Sequence, residues 1–105
     1  MANPWRGEVA LVIDGELRVM RLTLGALAGL EAALGEPSLV ALVERFEQGR
    51  FASADVLALL RAGLQGGGSG MDPAALDHAD IDGGPMAAAR AAAELIARAF
   101  VVPDA

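Results

Sequence analysis

The chain has 105 residues, fourteen acids against eight bases, and a formal charge of −6, so it reads as one acidic domain with the wrong sign for binding nucleic acid. Hydrophobic residues make up 54% of it, which argues against a disordered chain, and no apolar run approaches the roughly 20 residues that cross a bilayer. There is no Cys and every base is an Arg, which removes disulfides, thiolate chemistry, Schiff-base catalysis and the P-loop lysine.

The opening Met1-Ala2-Asn3-Pro4-Trp5 lacks the charged leader and apolar stretch of a signal peptide, so a cytoplasmic origin is expected. Residues 8–22 read as a β-hairpin. Val9–Ile13 and Leu17–Leu22 are rich in β-branched and apolar residues, and Asp14-Gly15 between them tolerates the positive φ of a tight turn. Two registers are open. A two-residue turn places Glu8 opposite Arg21, whereas a one-residue shift brings Val9 and Leu11 over Leu22 and Met20 and exchanges the buried and exposed faces. An isolated hairpin is marginal in water, so helices must cover one face. At least one unpaired edge is expected to remain as a template for a strand from another chain.

Residues 23–65 read as three helices. Thr23 caps the first, which carries Leu24, Leu27, Leu30 and Leu34 as its stripe and ends at Gly35 and Pro37. Gly25 and Gly29, one turn apart, are expected to allow close packing in the core. Ser38 caps the second helix, with Leu39, Leu42, Val43 and Phe46 inward and Glu44, Glu47 and Gln48 outward. Ser53 caps the third, whose buried face is Val56, Leu57, Leu60 and Leu64. Residues 66–84 read as a flexible Gly/Asp-rich loop holding a short helix that starts at Asp72-Pro73. The last helix, 85–101, has Met86, Ala89, Ala93, Ile96 and Phe100 on one stripe and Arg90, Glu94 and Arg98 on another. The fold class is α+β: a single domain over 1–105, with an N-terminal β-hairpin packed on a mostly helical bundle of three to five helices.

No constellation assembles an active site. The glycines at 66–68 are followed by no Gly-Lys-Ser/Thr and preceded by a helix, so they do not form a phosphate loop. Asp77–Gly83 resembles a calcium loop, but alignment puts His78 and Ala89 at its two end ligands, so a solvated polar loop is expected. His78 is the only histidine, and Ser38 and Ser53 serve as caps. Catalytic, cofactor and metal sites are therefore all read as none. What remains is surface: Trp5, outside the hairpin, is the aromatic best placed for burial by a partner.

Asn3–Val9, the Asp14-Gly15 turn and above all Arg21-Leu22-Thr23-Leu24-Gly25-Ala26-Leu27-Ala28-Gly29-Leu30-Glu31-Ala32-Ala33-Leu34-Gly35 resemble the gene-transfer-agent family of small phage-tail-derived proteins. The resemblance continues through Ala62–Gly68 into the Ala-rich last helix. It implies a non-enzymatic product of a tail-gene cluster in a gene transfer agent or related prophage, with no catalytic residues to carry over. A tail-assembly-chaperone-like role is the first expectation: cover for a long apolar tape-measure protein, in grooves where the first and third helices meet the hairpin, through Leu27, Leu30, Leu57 and Leu60 together with Trp5. The alternative is a structural tail tube component that persists in the particle, forms homo-oligomers and contacts the major tail protein. Neither role involves nucleic acid or a membrane directly.

Overall fold

The computed structural model describes residues 7–34, 39–68 and 72–99. Two strands come first, β1 (Val9–Ile13) and β2 (Glu16–Met20), followed by α1 (Leu24–Leu34), α2 (Leu39–Glu47), α3 (Ser53–Gly66), a 3₁₀ helix (Pro73–His78) and α4 (Gly84–Ala99). The fold is thus α+β, a hairpin packed on helices. Asp14 and Gly15 adopt φ of 52° and 78°, the paired positive values of a type I′ turn, whose twist matches that of the strands it joins. That turn sets the register: Val9 pairs with Met20 and Ile13 with Glu16, so the arrangement facing Glu8 toward Arg21 is the one adopted. Val9, Leu11, Ile13 and Met20 are buried on the inner face.

Both edges of this small sheet are largely closed. Along β1, the Arg98 guanidinium donates to the Glu8 carbonyl at 2.6 Å, the Asp82 N–H donates to the Val12 carbonyl at 3.0 Å, and Ile81 bridges to Ile13. Along β2, the Arg21 N–H donates to the Gly63 carbonyl at 2.9 Å. The end of α3 presses so closely that a Cβ on Gly66 or Gly67 would fall 2.0 Å from the Arg21 carbonyl oxygen or 2.2 Å from that of Val19. These glycines, expected in a flexible break, are packing residues that only a missing side chain permits. Among the described residues the open edge shrinks to the Ala10 stretch of β1 and to Leu17 of β2, which is 61% exposed. The expected strand template is correspondingly short.

The helices then pack around α3, which meets α1, α4, β2 and the 3₁₀ helix. Thr23 caps α1 as expected, its Oγ1 accepting the Ala26 N–H at 3.1 Å. The inward face of α1 is Ala26 and Leu30; Leu24, placed on the buried stripe by its spacing, is 84% exposed. Gly25 and Gly29 are likewise exposed, with nothing within 4 Å of where a Cβ would stand, so the expected close packing there is absent. Helix α2 ends at Gly49, whose φ is 70°. The Arg50 N–H bonds the Arg45 carbonyl and the Gly49 N–H that of Phe46, the doubled closure that a left-handed terminal glycine makes possible. Phe51 then stacks on Phe46, with ring centroids 4.6 Å apart.

Ala52, not Ser53, holds the cap position of α3, and Ser53 is the first helical residue. Alanine has no side-chain acceptor for the first-turn N–H groups, and only the reciprocal half of a capping box is made by side chains: Asp55, in the first turn, accepts the Ala52 N–H at 2.8 Å. The same carboxylate, 4% exposed, pairs with Arg45 of α2 and so ties two helices across their connection. Leu59, Leu60, Ala62, Gly63 and Leu64 are buried in α3, while Val56 and Leu57 are half-buried. In α4 the buried face is Ala88, Ala91, Ala92, Leu95 and Ile96, rotated from the expected stripe: Met86 is 73% exposed and Ala93 faces outward. The expected roles of Ser38, Gly35, Pro37 and Phe100, and of the Leu34, Leu39 and Leu42 side chains, lie outside the described residues.

Asp72 caps the short helix as its sequence suggests, accepting the Ala74 N–H at 3.0 Å, but the helix is 3₁₀. The acidic segment beyond it is tied to the hairpin turn by a reciprocal pair: Asp14 N–H to the Asp80 carbonyl at 2.7 Å, and Asp80 N–H to the Asp14 carboxylate at 2.8 Å. One hydrophobic cluster runs through all of these elements except the acidic loop tip.

Candidate protein-binding site

A groove of about 510 Å³ opens between α3, the 3₁₀ helix and the start of α4. Leu57 and Leu60 from α3 and Leu76 from the 3₁₀ helix form its floor, Pro85, Met86 and Ala89 one wall, and Asp77 and Asp80 part of its rim. The local sequence explains the shape. Gly83 and Gly84 adopt φ of 86° and 70°, so the chain turns sharply into α4, and the alanines of that helix leave space that larger side chains would fill. The rim is acidic and the floor apolar. Asp77 is paired with Arg61, while the Asp80 backbone is held by the hairpin turn with its side chain exposed.

A second apolar surface lies on α1, where Leu24, Gly25, Ala28, Gly29 and Ala32 are all exposed. Apart from Glu31, α1 is apolar or glycine throughout; such a helix is ordinarily enclosed, yet among the described residues only the Ala26 and Leu30 side is buried.

The expected contact residues fall into three groups. Leu57 and Leu60 both line the groove, Leu60 with no exposed surface of its own. Leu30 is 2% exposed and belongs to the core beneath α1, with Leu27 half-buried beside it. Trp5 lies outside the described residues. The groove therefore sits at the start of α4 rather than where α1 and α3 meet the hairpin. Met86, Ala89 and Leu76 were missed as groove residues; the exposed Met86 between Gly84 and an alanine run is the one signal that could have marked it.

Among the described residues no group of three or more His, Asp or Glu could hold a metal ion, His78 is exposed, and no described helix is long and apolar enough to cross a membrane. Asp55, the buried carboxylate, is engaged in holding α2 to α3.

These features define a small α+β domain with an apolar groove and an exposed apolar helix face. The chain belongs to the phage tail tube protein family GTA-gp10, whose model matches residues 6–101, a gene-transfer-agent and phage tail family as the Arg21–Gly35 block suggests. Neither a curated protein nor a solved structure shows a match to it.

Proposed function

We propose that the chain is a structural subunit of the tail of a gene transfer agent or related phage-like particle, built into the tube rather than acting on a substrate. The observation that carries this reading is the tail tube family match across residues 6–101. It favours the structural alternative over the first expectation, a chaperone of the tape-measure protein, which is left with no supporting observation. The partners are then other tail proteins and further copies of this chain, assembled from a cytoplasmic pool.

The geometry supports a subunit of an unusual kind. Tubes commonly join subunits through strand edges, yet both edges here are mostly closed by α3 and by the segment ahead of α4. Lateral contacts would therefore run through the apolar groove and the outer face of α1. Quantitative mass spectrometry of purified particles tests the reading. Many stoichiometric copies per particle are expected; a chain abundant in cells during assembly but missing from finished particles would refute it.

A further inference from the structure

We infer that the groove at the start of α4 receives Trp5 from a second copy of this chain, so that copies join head to tail. This rests on the structural reading above and names the contact that reading needs.

The groove has an apolar floor of Leu57, Leu60 and Leu76, and at its rim stand the exposed Asp80 and Asp77, the latter paired with Arg61. All fourteen acids of the chain lie beyond residue 7, whereas residues 1–6 hold Pro4, Trp5 and Arg6 and no acid. That segment is opposite in charge to the body and carries the one indole in the chain. A volume of about 510 Å³ lies in the range that encloses an aromatic ligand and its neighbours. The indole would fill the apolar floor, its N–H free to donate to a rim carboxylate, with Arg6 beside the acids.

Reach selects a second copy over the same chain. Gly7 lies against the Arg98 carbonyl at the far end of α4. Met86, at the groove, is twelve residues away along that helix, about 18 Å. Trp5 is two residues from Gly7, so its Cα reaches at most about 7 Å. The two sites also lie on opposite faces. Ala87, Arg90, Ala91 and Glu94 face β1, one stripe at helical spacing, while Pro85 and Ala89 point the other way into the groove. Trp5 would have to travel the length of α4 and pass around it, which the chain cannot do. A donor at one end of the molecule and an acceptor at the other make a heterologous contact, the kind that closes into rings or extends into filaments.

Trp5 is the only tryptophan and the chain has no tyrosine, so its fluorescence reports the contact directly. In the full chain, emission should shift to the blue and acrylamide quenching should fall as concentration rises and oligomers form. Two variants divide the contact: Trp5→Ala keeps the groove, and Met86→Glu/Ala89→Glu keeps the indole, both at positions outside the core. Each alone should stay monomeric with unchanged circular dichroism. Mixed, they should form a heterodimer saturating at one to one, with the blue shift appearing only on mixing. Oligomers in which Trp5 stays solvated overturn the inference while leaving the tail reading intact, and so does a mixture that never pairs. A Trp5→Ala chain incorporated into particles as well as wild type, beside a groove variant that is excluded, would assign the groove to a different tail protein and overturn it as well. The tail reading fails separately, by absence of the wild-type chain from particles.

Discussion

Glycine-to-alanine substitution should change this protein in opposite directions at two places that look alike in sequence. At Gly66 a Cβ would stand 2.0 Å from the Arg21 carbonyl oxygen; real Cβ contacts begin at about 3.0 Å, so the end of α3 must withdraw from β2 by about 1 Å. Overpacking of this kind costs about 1–3 kcal/mol. Withdrawal also strains the bond from the Arg21 N–H to the Gly63 carbonyl, 2.9 Å long and worth about 1 kcal/mol. Alanine returns at most about 1 kcal/mol of helix propensity. The net loss is about 2 kcal/mol, or roughly 10 °C in Tm for a domain of this size. At Gly25 and Gly29 nothing lies within 4 Å and only the propensity gain operates, so each alanine should add up to about 1 kcal/mol. Urea unfolding followed by far-UV circular dichroism measures all three. A Gly66→Ala chain as stable as wild type would refute the close approach of α3 and β2 on which the closed edge depends.

Asp55→Ala removes the acceptor of both the Ala52 N–H and the Arg45 guanidinium, and should cost about 1.5–3 kcal/mol, read as a lower urea midpoint with unchanged slope. Leu95→Ala empties a fully buried position and should cost about 2–5 kcal/mol, whereas Met86→Ala at a 73% exposed site should stay within about 0.5 kcal/mol. Asp14→Asn should be nearly neutral in thermal unfolding, because asparagine suits a type I′ turn and keeps an acceptor for the Asp80 N–H. Asp14→Ala at φ 52° should cost about 1–2 kcal/mol, the left-handed strain adding to the lost bond.

Legibility in the sequence followed how much each residue's size and chemistry constrained its surroundings. The hairpin was readable because Asp14-Gly15 admits few turn types, and that turn alone chose between the two registers. The Thr23 and Asp72 caps were readable because each has a side-chain acceptor beside an apolar run. Helix α4 was placed correctly but rotated, since alanines fit a core or a surface equally and Leu95 was the true anchor. Leu59 was missed because α3 is enclosed on several sides and a one-face pattern cannot describe it. Gly66 and Gly67 looked like a linker, since composition cannot separate a glycine needed for freedom from one needed for absence of bulk. The groove is least legible: spacing marks Leu57 and Leu60 as contacts, but the wall opposite them arrives from residues about 25 positions later, through two positive-φ glycines whose direction only the fold reveals.

The closed hairpin edge makes one more consequence testable. An unpaired strand edge invites other chains, so sealing β1 keeps an acidic, apolar-faced subunit from pairing before assembly. Asp82→Pro opens that seal with little other damage. Ile81 to Gly84 form a turn closed by the Gly84 N–H on the Ile81 carbonyl at 2.8 Å, with Gly83 at φ 86°. That is the type II pattern, in which proline is favoured at the position Asp82 holds. Ile81 before it is already extended, as a bridge partner of Ile13, which the residue preceding a proline requires. The substitution deletes the N–H that donates to the Val12 carbonyl at 3.0 Å together with one exposed carboxylate, and Asp82→Asn, which loses the same charge but keeps the N–H, is its control. The lost bond, about 1 kcal/mol, is offset by about 0.4–1 kcal/mol from a stiffer unfolded chain, so stability should barely move. Association should move: light scattering at matched stability should show faster aggregation of Asp82→Pro than of the charge-matched Asp82→Asn, and faster still when Ala10 on the same edge becomes valine. An Asp82→Pro chain that remains as monodisperse as wild type would mean that charge, with fourteen acids against eight bases, and not the closed edge, keeps the subunits apart.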